Sequence, residues 1–220
     1  KLADAIVGSI SNYVVRDSYT GEKDFYYVNS VYLDNRNFHF YQEKLNGLKN
    51  RKKYRLRYYG DLNREQPKPL FLEIKRKIDT VIIKDRGALN CWPPEKVTFS
   101  GWKRVLKDDL NILEEFYLDY LCLKLEPCLF VRYKRKPYFS KFNKNFRITF
   151  DYDLQAARIE TLIPRNLYFR NILNDIAVME VKFNGNIPAW FSDVLKANNL
   201  KRMSFSKYCN SLNIIYNLND

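Results

Sequence analysis

Two runs decide how this chain folds: Lys53-Tyr-Arg-Leu-Arg-Tyr-Tyr-Gly60, and Phe71-Leu-Glu-Ile-Lys-Arg-Lys-Ile-Asp-Thr-Val-Ile-Ile-Lys84. Apolar and charged residues alternate at period two, the pattern of β-strands. Successive strand side chains leave opposite faces, so Arg55 and Arg57 share one face. Glu73, Lys75 and Lys77 share a face by the same rule, as do Ile82, Lys84 and Arg86. A half-buried strand turning its charge to water gives the same alternation. A single strand does not separate that reading from a functional one.

The pattern returns in the second half of the chain. Tyr133 and Arg135 are two residues apart, Arg147, Thr149 and Asp151 follow the same spacing, and Met-Glu-Val-Lys at 179–182 echoes Leu-Glu-Ile-Lys at 72–75. Two geometries accommodate charged faces on this many strands. An open sheet would show a broad basic surface to water. A closed barrel would turn the charge inward and leave an apolar exterior for helices to cover. The helical patterns at 101–125 and 188–213 need such an apolar sheet surface, which favours the second geometry. Cations collected inside would repel one another unless something anionic sat among them.

Net charge agrees with that reading. The 220 residues carry 38 Lys+Arg against 25 Asp+Glu, a balance of +13 that calls for a polyanionic partner. Cys91, Cys122, Cys128 and Cys209 lack Cys-x-x-Cys spacing and His39 stands alone, so a zinc site is not expected. Scattered cysteines in a chain of this size point to reduced thiols and a cytoplasmic location. No apolar run approaches the roughly 18 residues of a membrane-spanning helix, and no signal peptide is visible.

Along the chain, Leu2, Ile6, Ile10 and Tyr13 are spaced for a first helix over 2–14, followed by a loop at 16–24. A strand is expected from Tyr26 to Leu33 and a short helix from Phe38 to Leu45, stopped by Asn46-Gly47. Strands follow at 53–59, 70–77 and 79–85, with a Pro-containing loop at 60–69 and an irregular stretch at 87–100. One helical region covers 101–125, with an apolar stripe through Leu106, Leu110, Leu113, Phe116, Tyr117, Tyr120 and Leu121. Strands return at 127–138, 145–152, 167–171 and 176–184. Helices close the sequence at 188–198 and 204–213. Grouped strands and grouped helices give an α+β class. No Pro-, Gly- or Ser-rich boundary interrupts residues 1–220, which read as one domain.

Six segments, in order, resemble the VTC (vacuolar transporter chaperone) domain, a polyphosphate polymerase domain of the CYTH, or triphosphate tunnel metalloenzyme, superfamily. They are Asn29-Ser-Val-Tyr-Leu-Asp-Asn35, Lys53-Tyr-Arg-Leu-Arg-Tyr-Tyr-Gly60, Leu72-Glu-Ile-Lys-Arg-Lys77, Arg147-Ile-Thr-Phe-Asp151, Met179-Glu-Val-Lys-Phe183 and Phe205-Ser-Lys-Tyr-Cys209. The resemblance implies a closed, mainly antiparallel β-barrel, or tunnel, with helices outside and at one end. It implies a transferase that moves the terminal phosphate of ATP to a growing polyphosphate chain. By that likeness Arg55, Arg57, Lys75, Lys84, Tyr133, Arg135 and Arg147 bind substrate. Ser206 and Lys207 reach it from the last helix, and Glu180 holds Mn²⁺ or Mg²⁺. The residues expected to act in catalysis are Arg55, Arg57, Lys75, Arg135, Arg147 and Lys207. Members of the family open on a basic strand ahead of the first helix, where this sequence has only Lys1.

The chemistry suits these residue types. Phosphoryl transfer asks for positioning and charge stabilisation more than covalent help. Arginine offers phosphate a rigid donor fork and lysine a movable point charge. A hard divalent ion that arrives with phosphates needs only one or two carboxylates. Three alternatives stay open at this level: a triphosphatase on the same scaffold, a non-catalytic polyphosphate or inositol-phosphate binding module, and a nucleic-acid binder. The cations are spread over several short strands instead of one helix or arm, which speaks against nucleic acid. The expected partners are ATP and polyphosphate, with tethering to a membrane partner or a larger chain left open.

Overall fold

The computed structural model describes residues 2–62, 69–107, 110–163 and 165–218. Lys1 and most of the expected loop at 60–69 lie outside the described residues. In chain order the elements are α1 (Leu2–Ile10), β1 (Val14–Arg16), a 3₁₀ turn (Ser18–Lys23), β2 (Tyr26–Asp34), α2 (His39–Leu45), β3 (Arg51–Tyr59), β4 (Leu70–Ile78) and β5 (Val81–Leu89). They continue as α3 (Phe99–Val105), α4 (Leu110–Leu123), β6 (Glu126–Ser140), β7 (Arg147–Arg158), β8 (Arg170–Asn171), β9 (Val178–Lys182), α5 (Ala189–Ala197) and α6 (Lys207–Tyr216).

The strands hydrogen-bond in the order β5-β4-β3-β2-β6-β7-β8, with β1 added on β6 and β9 on β7. The pairings β2–β3, β3–β4, β4–β5, β1–β6, β7–β8 and β7–β9 are all antiparallel. The fold is therefore α+β with a large antiparallel sheet, as expected. Among the described residues hydrogen bonds do not close that order into a ring.

The chain divides into two compact units. The first comprises 1–27, 133–154 and 173–205. The second comprises 28–132, 155–172 and 206–220. In the second unit, Tyr54, Leu56 and Tyr58 of β3 and Leu70, Leu72 and Ile74 of β4 form one buried face with Trp102, Leu113 and Phe116. This is the apolar half of the alternation, and α3 and α4 supply side chains to cover it. Truncating a fully buried member such as Leu56 would cost about 2–5 kcal/mol. In the first unit Ile6, Ile10, Phe146, Ile148, Phe150 and Phe191 make a separate core.

The helical region expected over 101–125 is two helices. Leu106 leaves α3 with extended backbone and bridges Leu89, while Asn90 N–H donates to the Val105 carbonyl at 2.8 Å and Lys107 N–H to the Ala88 carbonyl at 2.9 Å. The end of α3 thus adds to β5. Gly87 permits this approach, because a Cβ there would stand 2.6 Å from Leu106 Cδ1. Of the expected apolar stripe, Leu106, Leu113 and Phe116 are buried and Leu110 and Leu121 are exposed, while Ile112, outside that stripe, is buried as well. The first helix also ends early, at Ile10, and β5 runs on to Leu89 in place of the irregular stretch expected from 87.

Candidate functional site

In the second unit the face opposite the apolar core collects cations in cross-strand rows. Register places Tyr32 opposite Arg55, Arg55 opposite Glu73 and Glu73 opposite Arg86. The next row on the same face is Lys53, Lys75 and Lys84. Arg57 lies on the other side of Arg55, opposite Ser30 on β2 and Phe71 on β4.

Burial shows that the inner part of this face does not simply turn to water. Arg55 and Arg57 are 8% and 7% exposed and Glu73 only 2%. Glu73 receives Arg55 Nε at 2.7 Å and Arg86 Nε at 2.8 Å, with Arg57 Nε at 3.7 Å. Burial alone would raise the Glu73 carboxyl, but Arg55, Arg57 and Arg86 hold it well below the usual carboxylate range. Arg55 also donates to the Tyr32 hydroxyl at 3.0 Å. Burial would raise that phenol too, yet Arg55, Arg57 and Lys53 leave it below its ordinary value. Both directions report a strongly positive potential. Arg57 Nε and Ser30 Oγ, on residues paired across adjacent strands, are buried and make no hydrogen bond among the described residues. Such orphaned groups are uncommon and suit a site whose ligand supplies the missing partner.

Lys75 and Lys84 sit at the exposed side of the same face. Lys53 reaches the start of α6, where its ammonium group donates to Ser206 Oγ at 3.2 Å and Cys209 Sγ at 3.0 Å and lies over the Tyr208 ring. Ser206 caps α6 by accepting from Cys209 N–H, and Lys207 is the first helical residue. Tyr208 donates to the buried Asp34 at 2.5 Å, and Asp34 also accepts from the backbone of Asn35, Phe40 and Tyr41. Burial keeps the Asp34 carboxyl above its ordinary value despite those four donors. This web fixes the first turn of α6 against β2 and α2.

In the first unit, Arg135 forms a two-pronged bond to Asp151 at 2.7 and 2.8 Å, and its Nη2 lies 3.4 Å from Glu180 Oε2. Burial disfavours the Arg135 charge, but Tyr133, Asp151 and Glu180 outweigh it and keep the guanidinium firmly protonated. The Arg135 guanidinium lies 5.3 Å from the Tyr133 ring centroid. Arg147 donates to the Tyr26 hydroxyl at 3.2 Å, lies 3.7 Å from Asp17, and keeps a buried Nε without a hydrogen bond among the described residues. Glu180 stands opposite Thr149 in register and also meets Lys182 at 3.5 Å.

The expected residues therefore form two groups, each within its own unit. Arg55, Arg57, Lys75, Lys84, Ser206 and Lys207 belong to the second, and Tyr133, Arg135, Arg147 and Glu180 to the first. Sequence reasoning placed Arg86 on the right face without giving it a role, and passed over Lys53. The parity with Arg55 that would have found Lys53 was present in the sequence.

Among the described residues no cluster of three or more His, Cys, Asp or Glu side chains is placed to cage a metal. Hard oxygen is available at Glu180, whose side chain is 38% exposed, and at Thr149, whose buried Oγ1 makes no hydrogen bond among the described residues. That donor set fits a divalent ion whose remaining ligands are phosphate oxygens and water.

The family model for the VTC domain matches residues 2–216. Among solved structures, a protein from Bacillus halodurans named as a candidate adenylate cyclase shares the fold. Its TM-score is 0.50 at 12% identity, over 92% of this chain and 88% of that one. No curated protein matches the sequence. The family match takes in both cation clusters and runs almost the full length of the chain, which thus belongs to the VTC domain family.

Proposed function

We propose that this chain is a metal-dependent phosphoryl transferase that uses ATP to extend polyphosphate. Closure of its sheet into a tunnel is part of the proposal. The observation that carries it is the cation excess on the face of β3, β4 and β5, where Arg55, Arg57 and Arg86 converge on the single carboxylate of Glu73. Removing such charges from water is costly unless an anion compensates them. A run of phosphates supplies that compensation at the required density, and family membership supports the same ligand.

In this reading Arg57 and Arg55 hold phosphate oxygens, with the orphaned Arg57 Nε and Ser30 Oγ turned to the ligand. Lys75 and Lys84 bind as movable charges at the exposed side. Ser206 and Lys207 act from the first turn of α6, the end of a helix whose dipole favours an anion. Arg135, held rigid by Asp151, and Arg147 contact phosphate in the other cluster. Glu180 holds Mn²⁺ or Mg²⁺, which when bound neutralises developing charge on the transferring phosphate. The acceptor is already an anionic phosphate, so no histidine base is required. Preorganised donors of this kind are typically worth about 10²–10³ in rate each.

Incubation with ATP and Mn²⁺, followed by gel sizing, should give ADP and long polyphosphate chains. ATP binding without chains or released phosphate would overturn the assignment. Free phosphate in place of chains would identify a triphosphatase on the same scaffold. Binding without turnover is a second reading, favoured by the ion pairs that already engage Glu180 with Arg135 and Lys182. It predicts that Glu180→Ala leaves polyphosphate affinity unchanged. A cytoplasmic location is proposed with the enzyme reading, since that is where ATP and reduced cysteines are found together.

A further inference from the structure

The β4–β5 hairpin carries exposed apolar side chains that neither the core nor the cation face uses. Ile78, Val81, Ile82 and Ile83 are between 40% and 58% exposed around the two-residue turn Asp79-Thr80. Alternation sends Val81 and Ile83 to one face and Ile82 to the other, so they form an apolar tip with two wet sides instead of a flat patch. The loop between α2 and β3 lies beside this turn, because Asp79 N–H donates to Asn50 Oδ1 at 3.3 Å. That loop adds Leu48, 46% exposed.

The surroundings are basic. Residues 44–53 read Lys-Leu-Asn-Gly-Leu-Lys-Asn-Arg-Lys-Lys, without a carboxylate. Lys52 is engaged by Asp119 at 2.5 Å and Lys53 by the start of α6, whereas Arg51 and Lys77 donate to the backbone carbonyls of Leu48 and Asp79, which leave their charge uncancelled, and Lys44 and Lys49 belong to the same basic run. Asp79, at the turn, supplies a carboxylate, and Glu43 is paired with His39 at 3.4 Å.

We propose that this end of the second unit docks on an anionic membrane surface, with the hairpin tip entering the headgroup layer and the flanking cations meeting lipid phosphates. An apolar wedge ringed by lysine and arginine is the combination that binds an interface through burial and surface charge together. A protein partner would ask for a flatter apolar face and matching carboxylates. The contact is peripheral: no helix among the described residues is long and apolar enough to cross a membrane. This inference does not depend on the phosphoryl-transfer reading.

The test is co-sedimentation of the 220-residue chain with vesicles of phosphatidylcholine alone and of phosphatidylcholine with phosphatidylserine. The wild type should sediment with the anionic vesicles only, less so as salt rises. A Val81→Ser/Ile82→Ser/Ile83→Ser variant should lose at least tenfold in partitioning while keeping the wild-type melting temperature. Lys49→Gln, on the loop and away from strand packing, should lose about fivefold, the equivalent of one surface charge. Equal sedimentation of wild type and both variants would overturn the proposal. So would absence of vesicle binding, or a concentration-dependent dimer that the triple variant abolishes, which would assign the tip to contact between copies.

Discussion

On β3, β4 and β5 a single buried carboxylate, Glu73, meets three guanidinium groups; on β6, β7 and β9 two carboxylates, Asp151 and Glu180, meet one guanidinium group, that of Arg135. The same strand alternation produced both, yet their electrostatics differ. The first region keeps positive charge in excess and has an orphaned Arg57 Nε. Around Arg135 the second is largely self-compensated, with Arg135 fixed in place by Asp151, and its own orphaned Nε belongs to Arg147. The first region therefore gains most from an added polyanion. The second provides a rigid donor and a half-exposed carboxylate, Glu180, that can exchange its cation partners.

The largest effect should come from breaking the self-compensated region. Arg135→Ala takes from Asp151, whose side chain is fully buried, its two-pronged guanidinium partner. Loss of one partner of such a pair costs about 3–5 kcal/mol, and thermal unfolding should show it as a marked fall in melting temperature. Next comes Arg57→Gln, where the order of effects reverses. Its melting temperature should change little, because Arg57 meets Glu73 only at 3.7 Å. Its turnover of ATP should fall by about 10²–10³. Equal stability losses in the two variants would break the comparison.

Glu180→Gln should abolish metal-dependent turnover with a stability change within about 0.5 kcal/mol, as expected at a half-exposed position. Chemical denaturation of the variant and metal titration of its activity check the two halves. A pH series sharpens the role of Glu73. Its carboxyl is depressed in the folded protein, so the stabilisation it brings is complete above the ordinary value of 4.5 and is lost as pH falls below that. Wild type and Glu73→Gln should differ in stability at neutral pH and converge in acid. The smallest effect is Tyr208→Phe. It removes one of four donors to Asp34 and should cost about 1–2 kcal/mol, with a small loss of turnover as the first turn of α6 loosens.

Much of this was legible in the sequence because a two-residue period is a local signal. Arg55, Arg57 and Glu73 share a face by parity alone, and the strand limits at β3 and β4 fall within two residues of those expected. The break at Leu106 was not legible. It results from a bridge to Leu89 and from the room left by Gly87, both distant in sequence, while the local pattern still suits a continuous helix. The convergence of three arginines on Glu73 was half visible. Parity set the face, but the register of β4 against β3 and β5 set the partners. Ser206 was expected near substrate, and its hydrogen bond to Cys209 N–H shows that it also caps α6, a role that the preference of serine for helix starts would have suggested. The buried, unpartnered Arg57 Nε and Thr149 Oγ1 had no sequence signal at all, since orphaned groups are defined only by their surroundings.

Phosphate is the proposed ligand of the cation face of β3, β4 and β5. Calorimetric titration of tripolyphosphate into the wild-type chain and into Arg57→Gln, at low and at physiological salt, tests it most directly. Binding should weaken with salt, and the variant should lose at least tenfold in affinity. Equal affinity of the two proteins, or no binding by the wild type, would contradict it.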